Sequence, residues 1–445
     1  MSIGLQMETL LIVLFVLGYL AIALEHQIRV DKAASALLLG GVCWTLLVFA
    51  GDSLFPGLAA ADVPRTVEHG LAEHLSEISS ILFFLLGAMT IVELIDAHSG
   101  FRVITDRIHT TNRVALLWVV GSLTFLLSAV LDNLTTAIVV SALLKKVMRE
   151  RDDLWTFGGV VIIAANAGGA WSPIGDVTTI MLWIGGQISA LNVVKVVLLP
   201  SVVCLVIPLL VLSVTLKGDF ERVPALGSGS HRVDPAEARE QWIMLSGGIL
   251  GLLFVPVFKT VTHLPPYIGM LISLGVLWVL NEFIHRSKDH DHRRSLSVAQ
   301  ILTRVDVPTV LFFLGILLAV GALQMAGVLA DVAAYLDQHL GDVFLISTVI
   351  GILSAVVDNV PLVAGAIGMY PLSQFPQDHI FWELLAYTAG TGGSLLIIGS
   401  AAGVAVMGVL HIDFMWYLRR ISLLAASGYF AGIGAFYLQK LLTGG

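Results

Sequence analysis

Apolar runs of about twenty residues recur from one end of this 445-residue chain to the other, each long enough to cross a bilayer as a helix. In hydrocarbon no water satisfies backbone N–H and C=O groups, so only helices and closed barrels can span. Runs of this length exceed a barrel strand of about ten residues and therefore predict helices. Only 13% of the residues are charged, roughly half the share in a soluble domain. The expected fold class is all-α and polytopic. A net charge of −8 argues against a nucleic-acid partner and leaves the lipid bilayer as the large partner. Cys43 and Cys204 lie in apolar segments and read as small buried hydrophobes. No basic region precedes the first apolar stretch, so Thr9–Leu24 reads as a retained span, not a cleaved signal.

Candidate spans are 9–24, 33–51, 78–96, 155–190 (interrupted), 193–216, 241–259, 266–285, 307–327, 380–410 (interrupted) and 421–440. Orientation follows from Lys and Arg in short loops. The loops 25–32, 101–113, 145–151, 217–239 and 286–304 are basic, whereas 52–77, 328–342 and 371–379 are not. The basic set is expected in the cytoplasm, which puts both termini outside. The stretch 114–144 then has both ends inside. Its return arm, Leu134 to Leu144, is eleven residues, about 16 Å as helix, against a hydrocarbon core of about 30 Å. It reads as a re-entrant hairpin with Asp132-Asn133 at its tip. The stretch 343–370 reads as a second hairpin, entering from outside, with Asp358-Asn359 at its tip.

Each element of 1–216 recurs in 241–445 with reversed direction, and 217–240 links the halves. The chain therefore reads as an inverted-topology repeat of about ten spanning helices, two re-entrant hairpins and two discontinuous helices. Two hexapeptides support this. Ser128-Ala-Val-Leu-Asp132-Asn133 recurs 226 residues on as Ser354-Ala-Val-Val-Asp358-Asn359. Gly168-Gly169 recurs 224 residues on as Gly392-Gly393, and Phe83-Phe84-Leu85 recurs as Phe312-Phe313-Leu314. The segment His411–Arg420 reads as an interfacial stretch. His285, His290 and His292 share a charged loop, which reads as solvated, with metal binding as the alternative.

Charged groups at membrane depth are costly and functional as a rule. Each interrupted span is apolar, then rich in Gly, Ser and Thr, then apolar again. Unwound backbone is tolerated in a bilayer only where it lines a cavity or is buried in protein. Freed carbonyls, hydroxyls and carboxylates can then replace water around a hard cation, which favours oxygen ligands. The candidate cation- and proton-binding set is Ser128, Asp132, Asn133, Thr135 and Thr136 at the first tip. Asn166, Ser172, Asp176, Thr178 and Thr179 come from the first break. Ser354, Asp358, Asn359, Thr391, Ser394 and Ser400 come from the second half. Asp132, Asp176 and Asp358 are the expected Na⁺ ligands. Each admits a second reading as a helix N-cap, and the glycines admit one as packing residues. Glu93, late in span 78–96, is either a proton relay or an interfacial carboxylate. Glu25 and His26, at a span end, read as interfacial.

The string Asn166-Ala-Gly-Gly-Ala-Trp-Ser-Pro-Ile-Gly-Asp176-Val-Thr-Thr179, with the two Ser-Ala-Val-x-Asp-Asn copies, closely resembles NhaD-type sodium/proton antiporters. Those belong to the ion transporter superfamily, with anion/sodium symporters and arsenite exporters. The resemblance implies a Na⁺(Li⁺)/H⁺ exchanger of the bacterial inner membrane, homodimeric through a scaffold and working as an elevator. It implies no cofactor and no enzymatic activity. By motif it carries importance to Asp132, Asn133, Asp176, Thr178, Thr179, Asp358, Asn359 and Ser394. The acidic tips depart from the hydroxyl and amide tips of the dicarboxylate symporters.

Burial raises a carboxylate's pKa while a bound cation lowers it, so Na⁺ and H⁺ would exclude each other at such a site. The alternatives are a sodium-coupled carrier of an organic or inorganic anion, which would need positive charge or helix N-termini at its site, a channel, and an intramembrane enzyme. No zinc-ligand helix motif or serine–base constellation supports the last.

Overall fold

The computed structural model describes residues 3–55, 58–59, 61–105, 110–220, 235–286 and 296–443. Most of the linker (221–234) and the histidine-bearing loop at His290 and His292 lie outside them, as does the His26 side chain. Among the described residues the chain is helical, with one isolated β-bridge between Asn112 and Asp219. The first half carries α1 (Ile3–Ala23), α2 (Lys32–Phe49), α3 (Val63–Ala97), α4 (Arg113–Leu131), α5 (Asn133–Val147), α6 (Arg151–Ala170), α7 (Val177–Ile184) and α8 (Ala190–Thr215). The second carries α9 (Pro235–Thr262), α10 (Pro266–His285), α11 (Val307–Met325), α12 (Val328–His339), α13 (Val343–Leu353) and α14 (Asn359–Met369). It ends with α15 (Ile380–Gly392), α16 (Ala401–Leu410), α17 (Phe414–Arg420) and α18 (Ser422–Thr443).

Among the described residues, eight helices are long and apolar enough to cross a membrane, or up to nine if a bent pair counts as one span. The protein is a polytopic membrane protein. One of the eight is α4, which the sequence reading assigned to a re-entrant arm; its 19 residues could cross by themselves. Both interrupted spans are interrupted where expected: 171–176 separates α6 from α7, and 393–400 separates α15 from α16. The chain bends by 114° between α16 and α17, with His411 in the left-handed region (φ 53°), at the segment read as interfacial. Two differences stand out. Helix α3 runs 35 residues and starts at Val63, inside a stretch read as loop, because Pro64 sits in its first turn and nothing breaks the polar stretch that follows. Helix α12 occupies a stretch also read as loop; its buried Val328, Leu329 and Ala333 share one face.

Carboxylates start many of these helices. Asp31, Asp132, Asp176, Asp306, Asp342, Asp358 and Asp413 each accept a backbone N–H in the first turn that follows, satisfying an otherwise orphaned donor. Basic-loop residues meet at one end, where Arg113 pairs with Asp153 (2.8 Å) and donates to the Lys217 carbonyl (3.1 Å). At the opposite end the Asp378 N–H donates to Gln187 O (2.8 Å), and Glu383 pairs with Lys440 (2.6 Å).

Two packing groups result. Helices α1, α2, α3, α9, α10 and α11 form one, tied by the Trp44 indole N–H to Leu318 O (2.8 Å). The hairpins, the broken helices, α8 and α18 form the other. Two glycines set the spacing in the second group. A Cβ on Gly168 would strike Phe125 O, and one on Gly392 would strike Gly351 O. Each broken helix therefore lies against the backbone of its hairpin arm, so the packing reading holds for these two residues.

Candidate functional site

The two hairpin tips and the first break converge on a small cavity of about 40 Å³. Asp132, Asn133, Thr135, Asp176, Asp358 and Asn359 line it. Asp132 is the single residue between α4 and α5, held at φ 81°. That strained turn aims its carboxylate at the start of α5, where it accepts the Thr135 N–H (2.7 Å) and hydroxyl (2.8 Å). Asp358 begins α14 and accepts the Val360 N–H at 3.2 Å. Asp176, 1% exposed, begins α7 and accepts from Thr178 N–H and from the Asn359 amide, both at 3.3 Å. All three acids cap helices and all three line the cavity, so the cap role does not exclude the ligand role.

Asn166 ties the halves together. Its amide donates to Ser394 Oγ and Ser400 Oγ (2.9 Å each), and its oxygen accepts from Asn133 (3.2 Å). Ser400 also caps α16 through the Gly403 N–H (3.1 Å). Other candidates lie behind this layer and serve the backbone. Ser128 donates to Ala165 O (2.5 Å) and its counterpart Ser354 to Ala389 O (3.1 Å), each fastening a hairpin arm to its broken helix. Ser172 reaches Ala129 O, Thr179 reaches Asp176 O, and Thr391 reaches Tyr387 O within its own helix. Thr136 is buried but does not line the cavity. Glu93 lies away from the site, where it interacts with Asp96 and Arg304.

Residues outside the motifs complete the site. Leu85 and Met89 from α3, and Thr309 and Phe313 from α11, form the facing wall. Tyr19 of α1 accepts the Asp358 N–H (2.7 Å), and the Lys32 charge acts on Asp358 from the start of α2. Of these, Leu85 and Phe313 were visible in the sequence, as members of the two copies of one repeated string.

Three carboxylates around so small a volume, with no Lys or Arg in the wall, demand positive charge inside it. A dehydrated monovalent cation or protons would supply that charge. Small-molecule pockets start at about 300 Å³, so an organic anion meets both the wrong size and the wrong field. A larger cavity of about 280 Å³ opens at the basic end, lined by Glu25, Asp31, Lys32 and Asp306. It shares Leu134, Thr309 and Ala401 with the acidic cavity. A third, of about 500 Å³, lies at the opposite end and shares none of its wall.

A family model described as citrate transporter matches residues 12–392. The chain is 48% identical to a protein of Arabidopsis thaliana called sodium/proton antiporter 1, over 95% of this chain and 71% of that one. It is 44% identical to sodium/proton antiporter 2 of the same plant, over 94% and 97%. It is 29% identical to the Na⁺/H⁺ antiporter NhaD of Vibrio cholerae serotype O1, over 90% and 85%.

Proposed function

Because the chain belongs to the citrate-transporter family, and within it to the NhaD-type sodium/proton antiporters, we propose that its exchange rests on Na⁺ and H⁺ taking turns at one carboxylate cluster. The protein is a Na⁺/H⁺ antiporter and not an enzyme. The observation that carries the mechanism is the convergence of buried Asp176 and half-buried Asp132 and Asp358 on one small cavity without a cationic side chain in its wall. Asp132, Asp176 and Asp358 hold Na⁺ or Li⁺ when ionised and protons otherwise. Asn359 and Thr135 orient them, and Asn166, Ser394 and Ser400, with Asn133 bonded to Asn166, lock the two breaks together. Ser128, Ser354, Thr179 and Thr391 position the backbone that carries the site, and Thr178 gives its N–H to Asp176.

The halves 1–216 and 241–445 are inverted repeats in this reading. Matched contacts support it: α4 on α6 against α13 on α15, and α5 on α16 against α14 on α7. The hairpin group moves and the other group anchors a homodimer in the inner membrane, with the basic end in the cytoplasm and both termini outside. The shared wall between the acidic cavity and the basic-end cavity supports an inward-facing state.

In liposomes holding a pH dye, Na⁺ or Li⁺ pulses should drive proton movement, and Asp132→Asn should abolish it. A requirement for an added organic anion would overturn the reading in favour of a symporter.

A further inference from the structure

At the opposite end, the cavity of about 500 Å³ separates the two packing groups, and a lysine bridges it. Lys259, in the last turn of α9, donates from Nζ to the Trp183 carbonyl (2.5 Å), and its ammonium lies 4.6 Å from the centre of the Trp183 indole. Trp183 is 2% exposed and ends α7, the eight-residue helix whose N-cap is Asp176. A cation there meets the negative end of the helix and a last-turn carbonyl that otherwise accepts the Gly186 N–H at 3.4 Å. Asp176 and the Lys259 contact are thus the two ends of one short rigid rod. Any movement of the hairpin group past α9 must break the contact at the far end.

The other half has no chemical equivalent. Lys259 lies seven residues before the start of α10 at Pro266; seven residues before the start of α2 at Lys32 stands Glu25. A carboxylate cannot donate to a helix-terminal carbonyl. At this pair of positions the fastening is confined to the end whose cavity has no wall in common with the carboxylate site.

We propose that Lys259 is a positioning residue that latches α7 to α9 and holds the far-end path shut while the site faces the basic end. The inference rests on the alternating-access reading above. Breaking the latch favours the state open at the far end, so Lys259 sets how long the site waits for Na⁺ on the basic side. A hydrogen bond from a charged donor is expected to weigh that equilibrium by about ten-fold.

The test uses full-length protein in liposomes carrying Cys43→Ala, Cys204→Ala and Leu85→Cys, the last a reporter in the wall of the acidic cavity, and exchange is assayed on the parent protein without these three substitutions. An impermeant maleimide is applied from the far end. Lys259→Met should speed labelling about ten-fold, and Lys259→Arg should return it to the starting rate. In exchange assays Lys259→Met should raise the Na⁺ half-saturation at the basic end and lower it at the far end. Unchanged labelling in folded Lys259→Met, with the parent protein still exchanging Na⁺ for H⁺, overturns the latch and leaves the carboxylate mechanism standing. A parent protein that moves no protons on a Na⁺ pulse overturns the mechanism instead. Should Lys259→Met not fold, Lys259→Gln carries the same measurement, with faster labelling expected and an unchanged rate refuting.

Discussion

Asn166→Ala tests whether the two breaks are held together by a polar network. The side chain is fully buried and makes three hydrogen bonds, to Ser394, Ser400 and Asn133. Each is worth about 1 kcal/mol net, and a buried group left without a partner costs about 1–3 kcal/mol. Ser400 keeps the Gly403 N–H, whereas the Asn133 amide loses its acceptor. The expected loss is about 3 kcal/mol, or about 6 °C in melting temperature at roughly 2 °C per kcal/mol for a chain of this size. Melting in detergent, followed by tryptophan fluorescence, reads this directly. Asn166→Asp keeps the shape and lets both serine hydroxyls rotate to donate, so it should melt closer to the parent. It also adds negative charge beside the site, so its Na⁺ half-saturation should fall. Equal melting of Asn166→Ala and parent, to within 1 °C, would refute the network.

Gly392→Ala forces a methyl against Gly351 O and the Ser354 hydroxyl, so it should destabilise by about 1–3 kcal/mol, read as a lower melting temperature. Tyr19→Phe removes the acceptor of the Asp358 N–H; Na⁺ half-saturation should rise several-fold while the protein still purifies as a single species. His379, at the opposite end, caps α15 by accepting the Phe381 N–H on Nδ1 (3.2 Å), and burial holds its pKa below the ordinary 6.5. The neutral ring is the capping form. Its contribution, up to about 1 kcal/mol, is therefore complete above pH 6.5 and is lost as pH falls toward the lower folded value. Melting curves from pH 7.5 to 5 should show a decline that His379→Asn, a cap at every pH, reduces; an identical decline in both would refute the assignment.

The acidic site was legible because its chemistry is rare at membrane depth and its two tips are near-identical hexapeptides. Asp132 and Asp358 stand out in apolar surroundings, and the Gly- and Ser-bearing strings at 166–179 and 390–400, the first with Pro173, announce broken helices. The facing wall was not legible. Leu85, Met89 and Thr309 are ordinary residues of ordinary spans, and their role comes from which helices face the tips. Tyr19 and Lys259 are likewise given their roles by tertiary contact, Lys259 at a span end where a lysine normally reaches water. Sequence spacing grouped Ser128, Ser354 and Thr391 with the ligands; the first two donate across to carbonyls of the broken helices, and Thr391 donates to a carbonyl one turn back in its own helix. Glu93 was singled out by its place in a span, and its neighbours Asp96 and Arg304 are part of the basic end.

The central claim is that one cluster of carboxylates serves both ions. Equilibrium binding of radioactive Na⁺ to the purified protein, measured at a series of pH values, tests it without a membrane or a gradient. Competition predicts that the apparent Na⁺ dissociation constant rises as pH falls, approaching ten-fold per pH unit for each proton displaced, and levels off at high pH. A dissociation constant that stays flat across the range in which the protein exchanges ions would mean that protons travel by another route, and would contradict the account.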